Sequence, residues 1–260
     1  MAPRNTAKSR AKPILVAPDG DDAGVPRRRN RVNFFELACQ KLEELLVNCE
    51  LKPGRFLAMQ ELQDMTGLGR TPVHQAVSRF AADTLIIVRP RHGIQIAPID
   101  LARERVLLRL RRDLERFVIR LATERSGASH RNQLLHLERI LRERGPTLSL
   151  DEFNVLDRRI DSLILAVANE PFLEHTLRPL HTIFRRIGWI HHTHIRGDAN
   201  IAETVEHHLA VLNAVANRHV ERAVASSDAL IDFVDSMFDR LEREVDPSLL
   251  DCSIAPLTRG

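Results

Sequence analysis

The sequence predicts a mainly α-helical chain: an N-terminal winged helix-turn-helix followed by a C-terminal, all-α antiparallel bundle of six helices. Two observations support this prediction. Residues 32–99 contain three helix-like segments and then two β-branched runs, LIIV and IQIA, which are joined by RPRHG. From residue 100 onward, apolar residues recur at helical spacing without an alternating strand pattern. The boundary between the two domains is therefore predicted after residue 99.

Length and composition restrict the class of protein. A chain of 260 residues is long enough to bury a hydrophobic core, as one large domain or two small ones. No apolar run reaches the roughly 18 residues that span a bilayer, and the N-terminus lacks the basic-then-apolar pattern of a secretory signal. The three cysteines are too few and too scattered for a disulfide framework or a zinc ribbon. We therefore expect a cytoplasmic protein with no membrane partner.

The first 31 residues differ in charge from the rest of the chain. They hold eight Lys or Arg against three Asp, a net charge of +5, whereas the whole chain has +3. They are also rich in Ala, Pro and Gly, which predicts a disordered tail. Its last arginines are positioned to lie along DNA phosphates or in a minor groove: Arg27, Arg28, Arg29 and Arg31. The alternative interpretation is a solubilising tail.

The segment GRTPVHQAVSRF, residues 69–80, predicts a helix that reads DNA. Pro72 suits a first helical turn, where its missing N–H costs nothing. Apolar residues at helical spacing predict the buried face: Val73, Ala76, Val77 and Phe80. The outward face carries hydrogen-bond donors and acceptors: Arg70, Thr71, His74 and Gln75. Such a face can enter a major groove, where arginine pairs best with guanine edges.

The segments on either side complete a winged helix. The short helix MQELQDMT ends at Gly67, which gives the order helix, tight turn, helix. After the second helix, Gly93 is free to take positive φ in the turn of a hairpin, and this hairpin is the wing. Residues 70–92 contain four arginines against a single acid. We therefore add Arg79 and Arg91 to the predicted DNA contacts.

The stretch LKPGRFLAMQELQDMTGLGRTPVHQAVSRF and the wing after it resemble the DNA-binding domain of the GntR family of bacterial transcription regulators. In the FadR branch of that family, DNA contacts come from three arginines and from a His-Gly pair in the wing. The resemblance places Gln60, Arg70, His74, His92 and Gly93 at those positions. Two of the three arginines are thus replaced here. Glutamine pairs with adenine, whereas arginine prefers guanine, so the operator sequence is left open.

The C-terminal half is predicted to contain six helices. Their expected ranges are 100–126, 129–144, 150–168, 171–195, 201–217 and 219–243. Ser149 with Glu152 forms the sequence pattern of a capping box before the third of these helices. Together the helices define a domain over residues 100–245. Residues 246–260 are predicted to be a C-terminal tail, because Pro247 and Pro256 argue against a further helix.

This half resembles the FCD effector domain of the same FadR branch, in its six-helix, VanR-like subgroup. The similarity follows the order of the motifs RLRRDLERFVIRLATER, LDRRIDSLILAVANEPFL, PLHTIFRRI and EHHLAVLNAVANRHVERAV. It implies a domain that forms a homodimer and binds an effector. Many such domains hold a divalent metal through an aspartate and three histidines, and hold a carboxylate metabolite against that metal and nearby arginines.

Position by position, the resemblance gives Asp157, Asp161 in place of a histidine, His208, and Leu230 in place of another histidine. Asp157 and Asp161 share one helix face and repel each other without a cation. We predict that they bind a divalent metal together with His208. This ligand set suits zinc, manganese or nickel, of which we name zinc. The alternative cation is an arginine: Arg111, Arg185 or Arg186. The lost histidine has four possible substitutes: His191, His192, His194 and His207.

The predicted function is a dimeric, ligand-responsive transcription regulator, a repressor that binds a palindromic double-stranded operator. Its effector is a small carboxylate bound by Arg111, Arg185 and His181. We do not expect an enzyme, because the chain contains no Walker loop, GxGxxG or HExxH motif. The alternatives are a metal-dependent hydrolase and an architectural DNA-binding protein without an effector. A helical core without a pocket would favour the architectural protein.

Overall fold

The computed structural model describes residues 33–195 and 201–254, which pack as one unit. The arginines of the predicted basic tail, Arg27, Arg28, Arg29 and Arg31, lie outside the described residues. Their contact with DNA therefore stays a prediction. Within the described ranges, no helix combines the length and the apolar composition that crossing a membrane requires. Residues 33–99 are called the N-terminal part below, and the later residues the helical part.

Three helices surround the core of the N-terminal part: α1 (Phe34–Val47), α2 (Met59–Thr66) and α3 (Arg70–Ala82). Asn33 caps α1, because its side-chain oxygen accepts hydrogen bonds from the N–H groups of Phe35 and Glu36. Gly67 ends α2 in the left-handed region, at φ +66°, as the sequence predicts. The predicted helix-turn-helix is therefore present.

Three short antiparallel strands complete this part: β1 (Phe56–Leu57), β2 (Ile86–Arg89) and β3 (Gly93–Ile96), in the order β1-β3-β2. The sequence predicts the β2–β3 hairpin but misses β1, which is too short to show an alternating pattern. Gly93 has φ +90°, and a Cβ there would lie 2.8 Å from the carbonyl oxygen of Leu57 in β1. The close approach of β1 and the positive φ together require glycine at this position.

The helical part contains the six predicted helices. They are α4 (Leu101–Arg125), α5 (Ala128–Arg144), α6 (Leu150–Ala168), α7 (Pro171–Ile190), α8 (Ala202–Ala216) and α9 (Val220–Glu244). A short 3-10 turn, Gly145–Thr147, precedes α6, and a π-helical turn, His191–Ile195, continues α7. The capping box of Ser149 and Glu152 is formed in both directions. The mainly α-helical fold is thus confirmed.

Arginines on α4 fix the register of α4 against α9. The four arginines face acids of α9 in reverse order: Arg105 faces Asp235, Asp239 and Glu242, Arg112 faces Asp232, Arg116 faces Asp228, and Arg120 faces Glu221. The two helices therefore run antiparallel. Most of these acids are half exposed, so each pair contributes little to stability, but together the pairs select one alignment.

The C-terminal segment differs from the predicted tail. A short helix, α10 (Pro247–Leu250), follows α9, and the N–H of Ile99 donates to the carbonyl oxygen of Leu250 at 2.8 Å. The N–H of Cys252 donates to the carbonyl oxygen of Pro53 at 2.9 Å. The expectation that no further helix follows α9 is therefore wrong at Pro247–Leu250. Pro247 does not prevent this helix, because proline is favoured in the first turn and Asp246 caps the helix.

Candidate nucleic-acid interface and helical-domain pocket

The start of α3 presents an exposed polar surface. The residues predicted for its outward face are all exposed: Arg70, Thr71, His74 and Gln75. The first turn of α3 contains no acid, so the positive end of the helix dipole adds to the charge of Arg70. Gln60, one residue into α2, is also exposed, and its amide donates to Asp64 at 2.9 Å. This surface can approach phosphates and base edges without a nearby protein acid on α3.

The wing presents a second exposed basic surface. Arg89, Arg91 and His92 are exposed around the β2–β3 turn, with Gly93 directly after them. Arg91 has a positive φ of 67°, which directs the chain sharply back at the tip. The hairpin is closed by the hydrogen bond from the N–H of His92 to the carbonyl oxygen of Arg89, at 3.0 Å. The tip of the wing is therefore basic and lies clear of the core.

Arg79 is not on the outward face of α3. Its side chain is 22% exposed, and its Nη1 lies 3.6 Å from Oε2 of Glu36 on α1. Its guanidinium carbon also lies 6.0 Å from the centre of the Phe35 ring. Position 79 flanks the buried face of α3, so the side chain packs against α1. Without DNA, Arg79 thus contacts α1 inside the N-terminal part, and its contact with DNA stays a prediction.

A pocket of about 60 Å³ lies among α4, α6, α7, α8 and α9. It is larger than the roughly 10–15 Å³ that one water needs. Aromatic and aliphatic side chains provide much of its lining, among them Phe153, Phe184, Leu230, Phe233 and Met237. The lining also contains charged and polar side chains, among them Arg111, Asp157, His181, Arg185 and His208. The three residues predicted to bind the effector thus line one pocket.

Arg185 is the centre of a buried charged cluster. Its side chain is 6% exposed, and its Nε donates to Oδ2 of Asp157 at 2.6 Å. Its Nη2 donates to Asp161, and its Nη1 donates to Oε1 of Glu43 at 3.1 Å. Burial alone lowers the pKa of Arg185, but the charges of Asp157, Asp161 and Glu43 outweigh it and raise the pKa above its ordinary value.

His208 is hydrogen-bonded through both ring nitrogens. Its Nε2 lies 2.9 Å from Oδ1 of Asp157, and its Nδ1 lies 2.7 Å from the carbonyl oxygen of Thr204. Both partners are acceptors, so this geometry is satisfied by a protonated imidazolium that donates twice. Burial lowers the pKa of His208, but the hydrogen bond to Asp157 outweighs burial and raises the pKa. Conversely, burial raises the pKa of Asp157, yet Arg185 and His208 hold it well below its usual range.

His181 connects two further acids. Its Nε2 lies 2.7 Å from Oε1 of Glu115, and its Nδ1 lies 3.1 Å from Oδ2 of Asp161. Burial raises the pKa of Glu115, but His181 and Arg111 outweigh burial and lower the pKa to about 2. Burial raises the pKa of Asp161, and the negative charge of Asp157 raises it further. The charge of His181 opposes this rise without cancelling it. His181 therefore holds the cluster together and has no ring nitrogen left for a ligand.

The predicted metal site does not fit this arrangement. The cation between Asp157 and Asp161 is the guanidinium of Arg185, and Asp161 faces His181 instead of His208. Leu230 offers no ligating atom at the position of the family's last histidine. Within the described residues, no group of three His, Cys, Asp or Glu side chains is arranged to hold a metal ion. The prediction of Asp157, Asp161 and His208 as a zinc site is therefore corrected in favour of the arginine alternative.

Arg111 is the pocket cation with free donors. Its Nε donates to Oε1 of Glu115 at 3.2 Å, and its guanidinium carbon lies 5.4 Å from the centre of the Phe184 ring. Its two Nη groups have no hydrogen-bond partner among the described residues. A planar guanidinium with two free amino groups is suited to bidentate binding of a carboxylate. Arg111 thus differs from Arg185, whose three nitrogens already face acids.

Comparison with known proteins identifies both parts of the chain. Residues 36–96 match the family described as bacterial regulatory proteins, gntR family, and residues 106–233 match the FCD domain. The HTH-type transcriptional repressor RspR of Escherichia coli K12 is 28% identical over 185 residues, which cover 69% of this chain and 78% of RspR. A regulator encoded in an unstable DNA locus of Streptomyces ambofaciens is 33% identical over 76 residues, 29% of this chain and 30% of that protein.

Solved structures share the fold. The E. coli protein McbR/YncC has a TM-score of 0.71 at 19% identity, over 82% of this chain and 100% of that chain. A transcriptional regulator from Rhodococcus sp. RHA1 has a TM-score of 0.59 at 14% identity, over 78% of this chain and 96% of that one. The matched families are transcription regulators, and none of them indicates an enzyme. This chain belongs to the GntR family of bacterial DNA-binding transcription regulators and carries an FCD domain after its helix-turn-helix domain.

Proposed function

We propose that the protein is a repressor whose operator binding is controlled by a small carboxylate in the pocket of the helical part. The observation that best supports DNA reading is the exposed, acid-free start of α3 beside a basic wing. In this proposal Arg70 pairs with a base edge, and Thr71, His74 and Gln75 contact neighbouring bases or phosphates. Gln60 and the wing residues Arg91, His92 and Gly93 position the domain on the duplex. The tail arginines add phosphate contacts.

The proposed operator is a palindrome because the proposed regulator is a homodimer. GntR-family regulators are usually dimers. On α4, large apolar side chains are exposed on the side away from the core: Val106 is 62% exposed, Leu110 49% and Phe117 56%. Their spacing aligns them along one face, and the face next to it carries the arginines that bind α9. A second copy of α4 packed on this apolar stripe would cover it, and two copies of α3 would then face two half-sites.

The proposed effector is a monocarboxylate with a small apolar body. Arg111 provides the two free amino groups for the carboxylate, and Phe153, Leu230 and Phe233 provide apolar surface for the rest of the molecule. Leu230 is informative, because a histidine there would make this side of the pocket polar. The free cation and the apolar lining favour a charged head on an uncharged body. The pocket also disfavours the architectural alternative, for which we expected a helical core without one.

The DNA-reading role is tested with a duplex that the full chain selects from a random-sequence pool, called the selected duplex below. Arg70→Ala should weaken binding to the selected duplex by about 5- to 150-fold, as expected for about 1–3 kcal/mol of base contact. Arg142→Ala removes an exposed arginine on α5 and should bind the duplex like the wild type. Equal binding by Arg70→Ala and the wild type would disprove the assignment of α3 as the recognition helix.

A further inference from the structure

Glu43 connects the N-terminal part to the pocket's charged cluster. It lies on α1, yet its Oε1 accepts hydrogen bonds from Arg185 at 3.1 Å and from the hydroxyl of Thr182 at 2.9 Å. Its Oε2 lies 3.5 Å from Nε of Arg158 on α6. The carboxylate is 14% exposed, so water screens these contacts poorly. One acid of the DNA-binding part is thus bound by the helices that form the pocket.

Helix α7 contacts both the pocket and the N-terminal part. Its pocket side carries Phe184 and Arg185, and its other contacts reach the N-terminal part. Besides the Glu43 contact, Arg178 lies 3.6 Å from Asp83, just after α3, and Arg186 donates to the carbonyl oxygen of Ala97 at 3.1 Å. Among these residues, Arg185 is the one that both lines the pocket and binds the N-terminal part directly. A change at the pocket therefore has a short physical path to α1.

Arg185 is shared among three acids that compete for it. Asp157 and Asp161 both come from α6, whereas Glu43 comes from α1. The contact with Glu43 is the longest of the three. A further carboxylate next to Arg185 would repel all three acids, and Glu43 is the one that can leave without disrupting α6. Conversely, if an acid on the pocket side is removed, Arg185 should bind Glu43 more strongly.

We infer that the Glu43–Arg185 contact couples the pocket to the DNA-binding part: an anion in the pocket weakens it and frees α1 from α7. This inference rests on the proposed function for its ligand but not for the contact itself. The bistable element is the junction of α1 with α7, which is either held by Arg185 or released. Glu43 acts through Arg185 and touches neither DNA nor ligand, so it is a positioning residue.

The contact is tested without a ligand by hydrogen exchange of α1 in the full chain. Glu43→Gln keeps the shape of the side chain but removes its charge, and α1 should exchange at least threefold faster than in the wild type. Glu44→Gln, which alters the adjacent and more exposed acid paired with Arg158, should leave the α1 rate within 1.5-fold. Asp157→Asn, on the pocket side, should slow α1 exchange at least twofold, and should have no effect on α1 in the Glu43→Gln background.

The inference would be overturned if Asp157→Asn left the exchange rate of α1 unchanged. It would also be overturned if Asp157→Asn slowed α1 exchange equally in the Glu43→Gln background. If Asp157→Asn is not folded by circular dichroism, Asp161→Asn replaces it, because Asp161 also binds Arg185 from α6. This double-mutant comparison separates coupling from a purely structural role of Glu43.

A second arm uses hexanoate as the probe anion, with hexanamide as the uncharged control. In the wild type, hexanoate should raise the melting temperature and weaken binding to the selected duplex. In Glu43→Gln, hexanoate should still raise the melting temperature. However, the ratio of duplex affinities without and with hexanoate should be less than twofold. A ratio equal to that of the wild type would overturn the inference. If hexanoate does not stabilise the wild type, the proposed effector class fails, and the exchange experiment still decides the coupling.

Discussion

Arg111 and Glu115, one turn apart on α4, share a single hydrogen bond that leaves both amino groups of Arg111 free beside the pocket. Arg111 is therefore placed to bind a carboxylate, whereas Glu115 keeps His181 as its other partner. Arg111→Ala should weaken hexanoate binding at least tenfold, because a charge-assisted bidentate pair is lost. Isothermal titration calorimetry checks this prediction. Unchanged hexanoate affinity in Arg111→Ala would show that another group binds the carboxylate.

Titration of His208 should lower stability at alkaline pH. The bond to Asp157 raises the pKa of His208 above its unfolded value, so its contribution is complete below about pH 6.5 and is lost as pH rises through the folded pKa. The free energy of unfolding, from urea titrations, should therefore fall as the pH is raised above about 6.5. His208→Gln should be less stable than the wild type at pH 6 and show a smaller fall. Identical slopes in the two proteins would contradict the imidazolium assignment.

Ionisation of Glu104 should lower the free energy of unfolding as the pH rises from about 4.5 to about 7. This residue is buried in the first turn of α4, and its Oε2 has no hydrogen-bond partner among the described residues. Burial raises its pKa to about 7, although Arg186 and Arg103 oppose the rise. An acid whose folded pKa is raised costs stability as it ionises. The negative charge of Asp100 raises the pKa of Glu104 further.

Glu104→Gln should therefore be more stable than the wild type at pH 8, by at most about 3 kcal/mol for a carboxyl whose folded pKa is about 7, and similar to it at pH 4.5. Urea titrations at the two pH values measure the difference. A variant that is less stable at pH 8 would mean that the charge pair with Arg186 outweighs burial.

The apolar stripe on α4 predicts a dimer interface. Phe117→Glu places a charge in the stripe and should convert the dimer to a monomer, because an unpaired charge is costly in an apolar interface. Sedimentation equilibrium measures the mass. Phe172→Glu is the matched control, since Phe172 is 73% exposed on α7 and lies outside the stripe. Equal masses for both variants and the wild type would place any dimer interface elsewhere.

The helices of this protein were predictable because their signals are local. Apolar spacing and end signals such as Ser149 with Glu152 identify the helices α4 to α9 within about one residue of their observed ranges, except that the predicted range 171–195 also includes the π-helical turn after α7. Strand β1 could not be predicted, since two residues show no period. The packing of α10 also escaped prediction, because it depends on contacts with Ile99 and Pro53 that are distant in sequence.

The pocket was predictable only in part. The sequence analysis named Arg111, Arg185 and His181 as effector-binding residues, and they line one pocket, but it could not decide which cation neutralises Asp157. The guanidinium of Arg185 lies between the two aspartates, and no sequence pattern encodes that placement. Glu43 was missed for the same reason, because its partner lies in another helix and 142 positions away. The contact of Arg79 with α1 was missed as well, because Glu36 lies on another helix.

The central claim is that one small anion, bound in the helical part, changes operator binding by the N-terminal part. The most direct measurement is the dissociation constant of the full chain for the selected duplex as hexanoate is added, with hexanamide in parallel. The account predicts that hexanoate raises this constant at least tenfold in the wild type, that hexanamide does not, and that Arg111→Ala abolishes the response. A dissociation constant that is unchanged by an acid shown to bind the pocket, or that hexanamide changes equally, would contradict it.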